Sequence, residues 1–404
     1  MNITFLIGNG FDINLGLKTR YKDFYPYYLE KYPDEMISKI ISLNHDNDFN
    51  NWADLELGLG NMLKSISKDK IVDFLNSKGI LEECLTDYLK KQNSLFKISD
   101  SKKAIEKFKN NIVGFYNEFN SEETEKYKNT ISTYRSDITV SFITFNYTDT
   151  LDKIVEECQK ETKIIGSFRD GPGNLRSILI SKPLHIHGTL EEGMVLGVND
   201  DSQISNDEFK NDIDFQNYFI KPKVLTELGE QKISKAKQII DNSNYVCLFG
   251  LSIGDTDSFW WSYLMEWLQR DNNNRMVLYV RGDNVSFSAQ QYLRKRDDSR
   301  KYMLKQARCS KAEIIQKLLG RIIVVNNSKI FDLPGIIIKA KEESIPNNYF
   351  VKNERMAIPV FKNDDDNLLS VKIEPDLIKS KNLIEGIDLT KAANFILSEG
   401  KDNG

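Results

Sequence analysis

The chain has 404 residues, 40% apolar and 28% charged, with 55 basic against 59 acidic side chains and a formal charge of −4. That length accommodates two domains, or one large α/β domain with insertions, and a core that needs neither disulfide nor metal. A slightly acidic balance argues against a general nucleic-acid binder, which carries a basic excess. The four cysteines, at 84, 158, 247 and 309, form no CxxC pair, so a zinc module is excluded and the pattern fits a reduced, cytoplasmic setting.

The first segment, "NITFLI" (2–7), is apolar nearly throughout and predicts a buried central strand. It runs into "GNGFD". From about 22 to 130 the pattern is helical, with an aromatic stripe in "YKDFYPYYLEKY" and no convincing strand, which predicts a helical insertion. A strand follows at 137–145, then a helix at 149–158 and a Gly/Pro loop, "RDGPGN". "KPLHIHG" (182–188) is strand-like, "MVLGV" (194–198) predicts a hairpin, and the Asn- and Asp-rich 199–218 predicts a flexible loop.

Helical spacing returns at 222–243, followed by a buried strand at 244–250, a Trp-rich helix at 256–269, a strand at 275–280, a helix at 309–319 and a strand at 321–325. No stretch of about 18 apolar residues is present to cross a membrane, and no leader pattern opens the chain. Strands alternating with helices predict an α/β fold with a doubly wound, mostly parallel sheet over 1–333. The charged, β-prone tail 334–404 reads as a small C-terminal appendage.

Open parallel sheets bind ligands at the carboxyl ends of their strands, and four such ends carry suggestive residues. Gly8 and Gly10 allow a sharp turn and a backbone approach to a pyrophosphate. The position for the third glycine of a dinucleotide fingerprint holds Ile13, so an unliganded glycine turn is equally open. Asn146, ending the strand 137–145, suits a ribose hydroxyl or an attacking water, or else a turn or cap. His185 and His187 alternate onto one strand face. They suit an acid–base or ribose role for one imidazole, with a core histidine open for His185 and no third metal ligand in view.

Gly250 and Ser252 follow the strand 244–250, with Asp255 or Asp257 placed to cap the next helix. Trp260 and Trp261 read as core or interface. Glu56, in "WADLELGLG", is a second-rank candidate, with a solvated or capping acid as the alternative.

This ordered set (GxG, Asn, His-Gly, GxS) resembles the sirtuin-like NAD-binding fold, including a Gly16-Leu17 pair eight residues after Gly8. More narrowly, "LIGNGFDINLGLKTRYKDF", "WADLE", "ITFNYTDTL", "HIHG" and "GLSIGDTD" resemble the AbiH family of bacterial abortive-infection proteins across about residues 1–325.

The sirtuin-like resemblance implies a Rossmann-type sheet that takes NAD as substrate and hydrolyses its nicotinamide–ribose bond. Asn146 and His187 would flank the nicotinamide ribose. Gly8, Asn9 and Gly10 would cradle the phosphates with Arg20 offsetting their charge. Gly188, Gly250, Ser252 and Asp255 would complete the binding loops. The chain departs from the pattern at Asp12, where sirtuins carry Ser, and at Thr148, where they carry Asp. Asp12 is therefore expected at a ribose hydroxyl or as an orienter of the loop.

No metal is implied, since the deacetylase zinc module is missing. Such hydrolysis would deplete NAD in an infected cell, which fits the AbiH resemblance, and it implies a phage-derived trigger, with a homo-oligomer or a complex with another defence protein expected. A non-catalytic nucleotide sensor and a nucleic-acid-directed effector are the competing readings.

Overall fold

The computed structural model describes residues 1–44, 55–229, 231–281 and 288–339, all within one compact unit, Met1–Lys341. Twelve strands are present among the described residues. They are β1 (Asn2–Ile7), β2 (Phe96–Ile98), β3 (Ile138–Thr144), β4 (Ile164–Arg169), β5 (Leu175–Ile180) and β6 (Leu184–His185), then β7 (Gly188–Thr189), β8 (Gly193–Met194), β9 (Tyr245–Phe249), β10 (Arg275–Val280), β11 (Ile322–Asn326) and β12 (Ile336–Ile338).

The main sheet runs β11-β10-β9-β1-β3-β5-β4, with β6 beside the end of β3. Every pairing in it is parallel except β4 with β5. The predicted doubly wound, mostly parallel sheet is therefore observed, with one antiparallel edge.

Alternation along β1 sends Ile3, Phe5 and Ile7 into one core and Leu6 into the other. Phe5 is fully buried and stacks on Phe142 of β3 with ring centroids 5.6 Å apart. Burying such a ring stabilises the fold by about 1.5–3 kcal/mol. The helices Ser101–Val113 and Thr150–Gln159 cover the first face, and Lys232–Asp241 and Ser258–Arg270 the second. From β1 the chain moves to β3 on one side, whereas β9 leads to β10 and β11 on the other. The point of reversal lies between the carboxyl ends of β1 and β9, where open α/β sheets form their ligand crevice.

The helical region divides at β2. Residues 21–44 and 55–95 build a third core with 190–220, in which Phe24, Tyr28, Leu59 and Phe74 meet Leu196, Phe215 and Phe219. The helices beyond β2, by contrast, lie on the sheet, with Phe108 and Ile112 buried against it. β2 pairs antiparallel with β12, so residues 336–338 of the predicted appendage join the main unit, and 340–404 lie outside the described residues.

Four local expectations are corrected. "RDGPGN" is the turn of a β4–β5 hairpin, closed by Asp170, which accepts the Asn174 N–H at 2.8 Å. The hairpin expected at 194–198 is β7–β8, six residues earlier. Residues 199–218 are not a flexible loop; Asp200, Asn206 and Asp212 each cap a short helix there. The helix expected over 222–243 is two, Lys221–Glu227 and Lys232–Asp241, parted at Gly229 (φ +68°).

Candidate functional site

The loops after β1 and β9 touch along their glycines. The Gly8 N–H donates to the Phe249 carbonyl at 2.9 Å and the Gly10 N–H to the Gly250 carbonyl at 2.8 Å. A Cβ on Gly10 would lie 2.4 Å from the Gly250 Cα, and Gly250 adopts φ +69°. The glycines thus serve close loop contact, and the two N–H groups read as a phosphate cradle are already bonded within the chain. Asn9 bonds Thr19 through both ends of its amide, donating to the Thr19 carbonyl and accepting the Thr19 hydroxyl. Arg20 is exposed at the start of the helix Tyr21–Lys31.

Asp12 is buried, 1% exposed. Its carboxylate accepts the hydroxyls of Thr148 and Thr150, each at 2.5 Å. Burial raises its pKa to about 6, against the lowering effect of the two hydroxyls. These bonds join the short helix Gly10–Asn14 after β1 to the start of the helix after β3, the kind of contact that the orienting role asks for.

Asn146 directly follows that strand's last turn of pairing. Its N–H donates to the Thr144 hydroxyl at 3.1 Å, and its carbonyl faces His185 Nδ1 at 2.8 Å. Its side-chain Oδ1 is buried with no hydrogen-bond partner among the described residues. A buried, unpaired amide oxygen costs about 1–3 kcal/mol, a cost that a water or a ligand hydroxyl at this strand end would relieve.

The two histidines do not share one environment. β6 ends at His185, so strand alternation does not carry to His187. His185 faces Asp152 at 2.8 Å through Nε2 and the Asn146 carbonyl through Nδ1. Burial lowers its pKa, but the Asp152 bond and charge outweigh that and the net shift is upward. It is a bridging core histidine. His187 instead meets the edge of Phe145, ring centroids 5.3 Å apart at 88°, and Asp257 Oδ1 3.4 Å from Nε2. Burial, then the nearby Lys221 charge, push its pKa down to about 3, with Asp257 opposing.

Behind His187 lies a network that sequence reading left unassembled. The Lys221 ammonium, 3% exposed, donates to Asp257 Oδ1 at 2.9 Å and to Glu56 Oε2 at 2.7 Å. Two carboxylates, Glu56 buried and Asp257 partly so, hold it charged, its pKa rising although burial works the other way. Glu56 is therefore not a solvated acid. Asp257 makes no side-chain cap bond, and the Phe259 N–H is taken instead by Asn199 Oδ1 at 3.1 Å. Asp255 and Ser252 are exposed. Trp260 and Trp261 are buried, as expected of core.

Gly188, at φ +86°, faces Gly193 across the β7–β8 hairpin, where a Cβ would lie 1.9 Å from the Gly193 carbonyl oxygen. A cavity of about 20 Å³ beside His187, Lys221 and Trp260 has room for about one water. Among the described residues no group of three His, Cys, Asp or Glu is placed to hold a metal ion, and no helix is long and apolar enough to cross a membrane.

No curated protein matches this chain. The model of the bacteriophage abortive infection AbiH family matches residues 4–279, which takes in β1, β3, β6, β9, Asn146, His187, Lys221 and Asp257. The chain belongs to the AbiH family of bacteriophage abortive-infection proteins.

Proposed function

We propose that this chain carries out abortive infection by hydrolysing NAD at the nicotinamide–ribose bond, releasing nicotinamide and ADP-ribose. The observation that carries the reading is the Asn146 amide. Its Oδ1 is buried and unpaired at the carboxyl end of β3, next to the strand where the sheet reverses. An acceptor in that position can hold the attacking water or a ribose hydroxyl. The order of Gly8, Asn146, His187 and Ser252 along the chain supports the same sirtuin-like reading.

His187 enters as a neutral ring. With its pKa down near 3, it is a weak base, and a hydrogen bond to a ribose hydroxyl suits it better than proton abstraction. The departing nicotinamide is a good leaving group, so position and electrostatics are what the protein supplies. Since the Gly8 and Gly10 N–H groups bond within the chain, the diphosphate charge falls to exposed groups such as Arg20 and Ser252. The cavity beside His187, about 20 Å³, is too small for a nicotinamide ring, so the dinucleotide would lie over the strand ends outside it.

The test is nicotinamide release from NAD by the purified full chain, with and without lysate from phage-infected cells, alongside Asn146→Ala. Release by the parent that drops 10²-fold or more in the variant supports the reading. NAD binding without release under either condition points to a sensor. Neither binding nor release overturns the assignment of NAD.

A further inference from the structure

His187 stands at one end of a buried side-chain series, His187–Asp257–Lys221–Glu56, whose members come from four separate segments. We propose that Asp257 and Lys221 are positioning residues that hold His187 as a neutral imidazole protonated on Nε2, leaving Nδ1 as a hydrogen-bond acceptor. The inference rests on the reading of His187 as a contact for the substrate ribose.

Three features argue for it. Asp257 Oδ1 lies 3.4 Å from His187 Nε2, a charge contact longer than a formed hydrogen bond, and the carboxylate charge favours the proton of a neutral ring on that nitrogen. The same oxygen takes the Lys221 ammonium at 2.9 Å. A second proton on His187 would set an imidazolium beside that ammonium in a region screened from water, which is unfavourable. Lys221 in turn cannot turn away. Glu56 holds its ammonium at 2.7 Å, and its own N–H donates to the Val198 carbonyl at 2.9 Å.

The other titratable groups around the series do not supply a competing cation. Tyr147 is held protonated by burial, with Glu56, Asp257 and Glu82 adding to the effect. His185 bonds away from the series, to Asp152. The Phe145 ring set edge-on against His187 restrains its rotation. What results is a ring that accepts a hydroxyl hydrogen at Nδ1 and cannot donate there.

The experiment is ¹⁵N NMR of the imidazoles in the full chain from pH 8 to 5. The chain has three histidines, His45, His185 and His187, so the resonances are assignable by single substitutions. His187 in the parent should remain neutral and Nε2-protonated throughout. Lys221→Met should raise its midpoint, since the second cause of its lowering is removed while burial stays, with nicotinamide release falling on the acid side of that midpoint. Lys221→Arg should restore the parent behaviour, and Asp257→Asn should mix the tautomers.

A parent His187 that titrates near 6.5, or carries its proton on Nδ1, overturns the proposal. So does an unshifted Lys221→Met. Should Lys221→Met fail to fold, the parent tautomer and Lys221→Arg still decide. Absence of nicotinamide release by the parent, with the tautomer as expected, removes the NAD reading and leaves the positioning intact.

Discussion

The Thr148 hydroxyl donates to the Asp12 carboxylate at 2.5 Å, and both residues are buried. Asp12 and Thr148 are two of the positions at which the sequence departs from the sirtuin-like pattern, and they meet in one hydrogen bond. The contact ties the short helix Gly10–Asn14 after β1 to the segment after β3, and it takes up the Asp12 carboxylate within the fold.

That charge has a pH signature. Asp12 has its folded pKa raised from 3.8 to about 6. The folded state then holds the proton where the unfolded chain has lost it, so stability falls as pH rises from about 4 to 6 and is flat above. The magnitude is on the order of 3 kcal/mol. Urea unfolding across this range should show the parent losing about that much relative to Asp12→Asn. Parallel curves for the two proteins would mean that Asp12 is not the titrating group.

The contact of Gly10 with Gly250 predicts a steep steric penalty. A Cβ on Gly10 meets the Gly250 backbone at 2.4 Å, and neither loop can yield without breaking the Gly10 to Gly250 hydrogen bond. Gly10→Ala should cost about 3 kcal/mol or more, at the top of the overpacking range. Gly173→Ala is the control. It also sits at positive φ but has open space around it, so its cost should stay near 1 kcal/mol. Equal losses by thermal melts would show that the loop contact is looser than its geometry.

Sequence reading recovers the central strands because each is buried on both faces and so reads as an unbroken apolar run. "NITFLI" and "RMVLYV" coincide with β1 and β10 residue for residue. It misses β4 and β5, whose half-exposed positions carry polar residues. In 199–218 the Asn and Asp residues look like loop formers, yet Asp200, Asn206 and Asp212 are helix caps; the two uses share one chemistry. Asn146 and His187 are legible from their strand-end positions. Lys221 is not, because nothing local marks a lysine for burial, and only tertiary folding sets Glu56 and Asp257 around it.

His185 offers a second pH test of opposite origin. Its folded pKa lies above the ordinary 6.5 because its bond to Asp152 outweighs burial. The stabilisation is fully present below 6.5 and disappears as pH rises through the folded value. Asp152→Asn should remove this dependence, so the parent's advantage over the variant should be largest at pH 6 and shrink towards pH 8. An advantage that grows with pH would reverse the assigned sign.

Asn146 separates function from stability. If its buried Oδ1 waits for a ligand, the folded protein carries an unpaired polar atom at a cost of about 1–3 kcal/mol. Asn146→Ala deletes that atom and leaves a small void, two effects that oppose each other. The variant should therefore unfold within about 1 kcal/mol of the parent, on either side, while nicotinamide release falls 10²-fold or more. A purely structural amide gives the reverse pattern, with a loss above 2 kcal/mol and release falling only in proportion to the folded fraction. Stability retained with activity lost is the signature of a residue whose partner is not part of the chain, and one set of melts and release assays on two proteins reads it directly.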